Sequence, residues 1–166
     1  MRKLTYSPMM ILIGVAWTAG CGTSTVPTVA TPKLDVSKFL LADEPSGALS
    51  VVELREQAKN DDDVVLVGRI GGAAKPWVAG RAAFSVVDPS LQLCDEGGGV
   101  CSCCKDKVCD AMALVKVVDE HGRVLKADAR KLLRVKENEL VVVSGKAKRD
   151  DAGNLTILAR GVYVRR

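Results

Sequence analysis

Aromatic side chains are scarce: Phe, Tyr and Trp make up 4% of the 166 residues. Proteins that hold single-stranded nucleic acid or sugars by stacking use several such rings, so the composition counts against both classes. Histidine is scarcer still, with His121 alone. One imidazole excludes a multi-histidine metal site and argues against a Ser-His-Asp hydrolase, and no G-x-S-x-G motif is present. His121 sits beside Gly122 and reads as an exposed turn residue. Asp61, Asp62 and Asp63 lack the spaced ligands and the glycine of an EF-hand loop, so they read as a solvated linker. Asp88 and Asp119 fall at expected strand ends, where carboxylates commonly organise turns. No pair of groups suits acid–base or nucleophilic chemistry, and a non-catalytic protein is expected.

What is present begins at the N-terminus. Arg2 and Lys3 precede an apolar stretch over residues 9–19, the length of a signal-peptide core and short of the ~20 residues a membrane-spanning helix needs. Ala19, Gly20 and Cys21 follow. This arrangement resembles the lipobox of bacterial lipoproteins, in which the cysteine is acylated and becomes the new N-terminus. The resemblance implies export and attachment to a membrane through lipid on Cys21, each buried CH₂ contributing about 0.8 kcal/mol. An ordinary cleaved signal peptide and an uncleaved anchor are the alternatives. Four regions are expected: a signal over 1–20, a Thr/Ser/Pro-rich tether over 21–32, an arm and helix over 33–62, and a β-domain over 63–166.

Charge is unevenly placed. Residues 22–120 carry ten Lys/Arg against fifteen Asp/Glu, and residues 121–166 carry twelve against five. The C-terminal third can present a basic face to phosphate, anionic polysaccharide or lipid headgroups, unless folding interleaves its charges with acidic ones.

The pattern along the domain is mostly β. Residues 36–41 suit a short edge strand or extended arm. Ser50-Val51-Val52-Glu53 fits a capping box, and Val51, Leu54 and Ala58 share one helical face, predicting a helix over 50–59 closed by Asn60 and packed outside the β-domain. Strands are expected over 64–70, 81–88, 111–119, 139–147 and 155–165, with pairing continued at Val124 and Leu125 and a short helical stretch over 126–133. Phe84 shares its phase with Ala82 and Val86, which places it in the core. The order strand, strand, strand, helix, strand, strand is that of the OB-fold, a five-stranded Greek-key barrel. The segment ELVVVSGKAKRDDAGNLTILARGVYV resembles the closing hairpin of bacterial OB-fold domains, and the likeness covers roughly residues 63–165. The whole chain is similar to uncharacterised exported OB-like proteins with cysteines, a likeness that implies no particular activity. An immunoglobulin-like sandwich is the rival, and it calls for about seven strands.

Two sets of residues could carry function. Cys94, Cys101, Cys103, Cys104 and Cys109 fall within sixteen positions. Outside the cytoplasm such thiols are expected to form disulfides that staple a long, glycine-rich loop. Alternatively Cys101 and Cys104, a C-x-x-C, could join Cys94 and Cys109 around zinc or Cu(I), although a zinc ribbon normally supplies two such pairs. Redox exchange at the C-x-x-C is a third reading. No other cofactor is implied. The second set follows from the OB resemblance, which implies a ligand face bordered by the loops joining strands 1–2 and 4–5: Lys75, Trp77 and Arg81 with Lys146, Lys148 and Arg149. A protein or anionic glycan partner would suit these residues, and export disfavours nucleic acid.

Overall fold

The computed structural model describes residues 36–91 and 109–166. Five strands form a closed barrel: β1 (Asp63–Ile70), β2 (Ala83–Val87), β3 (Met112–Val117), β4 (Leu140–Arg149) and β5 (Leu155–Arg165), in the order β1-β2-β3-β5-β4. β3 and β5 run parallel, with Ala113 opposite Leu155; every other pairing is antiparallel, and β4 returns to β1 to close the ring. The fold is mainly β, a closed five-stranded OB-like barrel with two short helices. That is the architecture expected from the order of elements.

The β-branched runs explain the strands. Val64, Val65 and Val67 in β1 and residues 141–143 in β4 favour an extended backbone and pack well on a pleated surface. Inward residues alternate: Ala113, Val115 and Val117 on β3 meet Leu155, Ile157 and Ala159 on β5, all buried in one core with Phe84 and Val86. Gly145 lies at a bulge between β4 and β5, where a Cβ would collide with the Leu158 carbonyl, so no larger residue fits without moving the strand.

Two helices close opposite ends of the barrel. α1 (Val51–Gln57) begins at Ser50, whose hydroxyl accepts from the Glu53 amide (3.3 Å) while Glu53 accepts from the Ser50 amide (2.7 Å), so the capping box forms as expected. The helix is not packed outside the barrel as an accessory. Val51 and Leu54 are 0% and 1% exposed and belong to the barrel core, at the end where β2 and β4 finish and β3 and β5 begin. The helix also stops at Gln57, not at Lys59. The Arg149 guanidinium donates to the carbonyls of Ala58 (3.2 Å), Leu54 (3.4 Å) and Arg55, taking the role expected of Asn60. Asn60 instead accepts from the Arg149 amide (2.6 Å).

α2 (Ala129–Leu133) lies at the other end, capped by Asp128, with Ala129, Leu132 and Leu133 buried. Before it, Leu125 donates its amide to Val117 (3.0 Å) and accepts from Ala82 (2.9 Å), and Val124 bridges Val118. The arm before α1 is not an edge strand. It opens with a 3-10 turn (Val36–Lys38), then makes one parallel bridge from Leu40 to Val162 on the edge of β5 that β3 does not reach. Residues 34–166 make up one unit containing all the described strands, helices and core residues.

Candidate functional site

The segment joining β1 to β2 does not stand clear of the barrel. It folds back along β2, filling the edge that β1 leaves after pairing only Arg69 and Ile70 with Val87 and Val86. The Gly71 amide donates to Ser85 (3.1 Å), Ser85 donates from its amide to Pro76 (2.7 Å) and from its hydroxyl to Gly71 (2.9 Å), and Trp77 bridges Phe84. Gly72 takes φ +85° and lies so close to Val87 that a Cβ there would collide. All five residues of β2 are buried as a result. The outer surface of β2, through which OB-folds commonly meet ligands, is covered by the chain's own loop.

The loop ends in a tight hairpin. The Val78 amide donates to Ala83 (3.0 Å) and Arg81 donates back to Val78 (3.2 Å), so residues 78–81 form an exposed turn with Gly80 at φ +67°. Trp77 at its base is partly buried. Its ring packs against Phe84 (centroids 5.8 Å apart, planes tilted by 46°), its Nε1 donates to Glu137 (2.8 Å), and the Arg130 guanidinium lies 5.7 Å from its centroid. These contacts join the hairpin to α2 and engage both the indole ring and its N–H. Arg130 in turn donates to Asp128 (2.6 Å), and this contact holds the Asp128 carboxyl down at about 2. Lys75 and Arg81 flank the hairpin and are exposed.

The other three expected ligand residues are engaged at the opposite end. Lys146 donates to the Asp61 carbonyl (2.9 Å) and to Asp63 (3.1 Å); Lys148 pairs with Asp61 (2.7 Å), lowering that carboxyl below its usual range. Arg149 serves α1 as described. The acidic run 61–63 is therefore a strand-to-strand clamp more than a linker. Asp63 also approaches Arg160 (3.6 Å) at the mouth of a shallow groove between β1 and β4. No contact joins Lys146, Lys148 or Arg149 to Lys75, Trp77 or Arg81 among the described residues, so the six do not form one face.

A different set emerges around α2. Burial of Ala129, Leu132 and Leu133 turns Lys131 and Arg134 outward, and Lys126 and Lys136 on either side are exposed as well. The signal was available in the excess of basic residues over 121–136 combined with the apolar spacing of α2.

Asp88 is 4% exposed at the end of β2. Burial pushes its carboxyl up, but donors from Ser90 (hydroxyl 2.6 Å, amide 3.0 Å) and from the Val52 amide (3.1 Å) outweigh it, and the net shift is downward. Its amide donates to Ala111 (2.8 Å), drawing together the two ends of the insertion that carries the cysteines. Cys94, Cys101, Cys103 and Cys104 lie outside the described residues; Cys109 opens a 3-10 turn (Cys109–Ala111) leading into β3. Cys21 also lies outside them. His121 is exposed in a turn organised by Asp119, which accepts from the amides of His121 and Arg123 (2.9 Å each). Among the described residues no three His, Cys, Asp or Glu side chains are grouped to hold a metal.

The sequence matches no model of a known protein family, and comparison with curated proteins finds no significant match.

Proposed function

We propose that this chain is an exported protein, held to a membrane by lipid on Cys21, that works as a non-catalytic binding module for an acid-bearing component of the cell envelope. The observation that supports it is the condition of the cations at the α2 end. Lys126, Lys131, Arg134 and Lys136 form no ion pair with another described residue, whereas Lys146, Lys148 and Arg149 are committed to internal contacts. Unpaired, solvated cations at one end attract an anionic partner and hold it in a salt-dependent way. The Arg2-Lys3, apolar and Ala19-Gly20-Cys21 succession supports the lipid anchor. Among the described residues no helix is long and apolar enough to cross a membrane.

Retention on an immobilised anionic polysaccharide tests the binding reading. The chain from residue 21 onward, carrying Cys21→Ser, is expected to elute late and to move sharply earlier with Lys131→Glu. Equal retention of the two proteins overturns the assignment of the α2 end. For the anchor, the mature protein from a bacterial host is expected to carry acyl mass on its N-terminal residue, lost in Cys21→Ser.

Metal handling is the second reading, favoured by five cysteines within sixteen positions on an insertion whose ends meet at Asp88 and Ala111. Intact mass with and without reductant, together with elemental analysis, decides it. A metal-free protein about four mass units lighter when oxidised has two bridges and no such site; bound zinc or copper with reduced thiols makes the insertion the functional site.

A further inference from the structure

We infer that the α2 end of the barrel is a docking surface for an anionic lipid bilayer, with the hairpin turn at residues 78–81 entering the headgroup layer. The inference rests on the binding reading above and names its partner. Six exposed cations lie on the hairpin, on α2 and on the segments flanking that helix, without an ion pair among the described residues: Lys75, Arg81, Lys126, Lys131, Arg134 and Lys136. Their adjacency follows from the backbone. Leu125 bonds Ala82, placing Lys126 beside Arg81, and Glu137 holds Trp77, placing Lys136 beside the hairpin. All three carboxylates between residues 126 and 139 are engaged, Asp128 by Arg130, Glu137 by the indole and Glu139 by the Lys136 amide (2.9 Å), and in the nearby turn Asp119 pairs with Arg123 and Glu120 with Lys38.

Charge alone would suit any polyanion, but the hairpin turn distinguishes the bilayer. Val78 is 42% exposed, and only one other large apolar side chain among the described residues, Val52, is comparably open. An exposed apolar side chain on a turn that carries Arg81 and neighbours Lys126 matches a membrane interface, where phosphates meet the cations and the acyl boundary takes the valine. A polysaccharide offers no apolar layer, and Trp77, the ring it would stack on, is partly buried against Phe84 with the Arg130 guanidinium over it. With the lipid of Cys21 in the same membrane, docking becomes intramolecular, so a weak surface suffices.

The test uses the unlipidated chain from residue 21 (Cys21→Ser), which retains the whole 34–166 unit. It is sedimented with vesicles rich in phosphatidylglycerol or made only of phosphatidylcholine. Binding to the first and not the second, weakening as salt rises, is expected. At about fivefold per unit charge, Lys131→Glu weakens it roughly 25-fold, and Lys59→Glu at the α1 end leaves it unchanged. Val78→Ser, which keeps every charge, weakens it about threefold to tenfold. Equal losses from Lys131→Glu and Lys59→Glu would overturn the inference, since binding would then follow net charge. Absence of vesicle binding with Lys131-dependent retention on polysaccharide overturns the lipid partner and leaves the binding reading standing. Absence of both overturns the two together.

Discussion

The two ends of the barrel are closed by short helices, and they use basic residues in opposite ways. At the α1 end Arg149 and Arg55 point at main-chain carbonyls, Arg55 reaching Met112 (3.2 Å) and Gly153 (3.4 Å), while Lys146 and Lys148 clamp the acidic run that leads into β1. At the α2 end Arg130 is paired and its basic neighbours face solvent. A helix terminus leaves carbonyls without partners, and a guanidinium with five donors can meet several at once. Basic residues that meet such carbonyls become part of the architecture, and those that do not remain available to a partner. Position in the sequence does not separate the two kinds.

Core truncation at both ends gives the largest expected effect. Leu54→Ala under α1 and Leu133→Ala in α2, both at most 1% exposed, are each expected to cost about 2–5 kcal/mol in chemical denaturation. A cost below about 1 kcal/mol for Leu54→Ala would show that α1 is an appendage and dissolve the likeness between the ends. Next comes Arg149→Ala, expected to cost about 2 kcal/mol by leaving the α1 carbonyls without their donor. Lys146→Ala should cost less than this, because it breaks a more exposed pair.

The α1 end should also be acid-sensitive, through the buried Asp88. Its folded carboxyl is held below the ordinary aspartate range, so its contribution is complete above about pH 4 and disappears as pH falls through the lowered value. Melting curves of Asp88→Asn and the parent should differ at neutral pH, by about 1 kcal/mol, and converge in acid. A gap that stays constant to low pH removes the carboxylate from the account. The smallest effect belongs to the α2 surface: Lys131→Glu should leave stability within about 0.5 kcal/mol while moving elution from a polyanion sharply earlier. That pairing of unchanged stability with weakened binding separates the ends most sharply.

The barrel was largely legible in the sequence. Alternation, β-branched runs and the position of the second helix specify five strands, and the capping box at Ser50 marks the start of α1 to the residue. Local signals could not say where α1 goes, because the apolar face of Val51 and Leu54 fits the outside or the end of a barrel equally well. The expected ligand set divided for a related reason. Lys146 and Lys148 meet Asp63 and Asp61 from more than eighty residues away, a pairing that only the β1–β4 register creates. The return of residues 71–77 along β2 depends on how few pairs β1 and β2 share, and periodicity carries no information on that. The α2 cations were readable, since a five-residue helix with three buried positions fixes which of its neighbours face outward.

The arm at Leu40 has a consequence in time. Its partner, Val162, lies on the last strand, and Leu49 bridges Leu66 on the first, so the earliest described residues are sewn to both. β3 likewise waits for β5, its parallel neighbour. A chain leaving the ribosome N-terminus first can therefore pair Leu49 with Leu66 early, but it can close neither the Leu40–Val162 bridge nor the β3–β5 seam until β5 emerges. Closure of this barrel is gated by its fifth strand, so a chain that has made four strands still holds an open sheet.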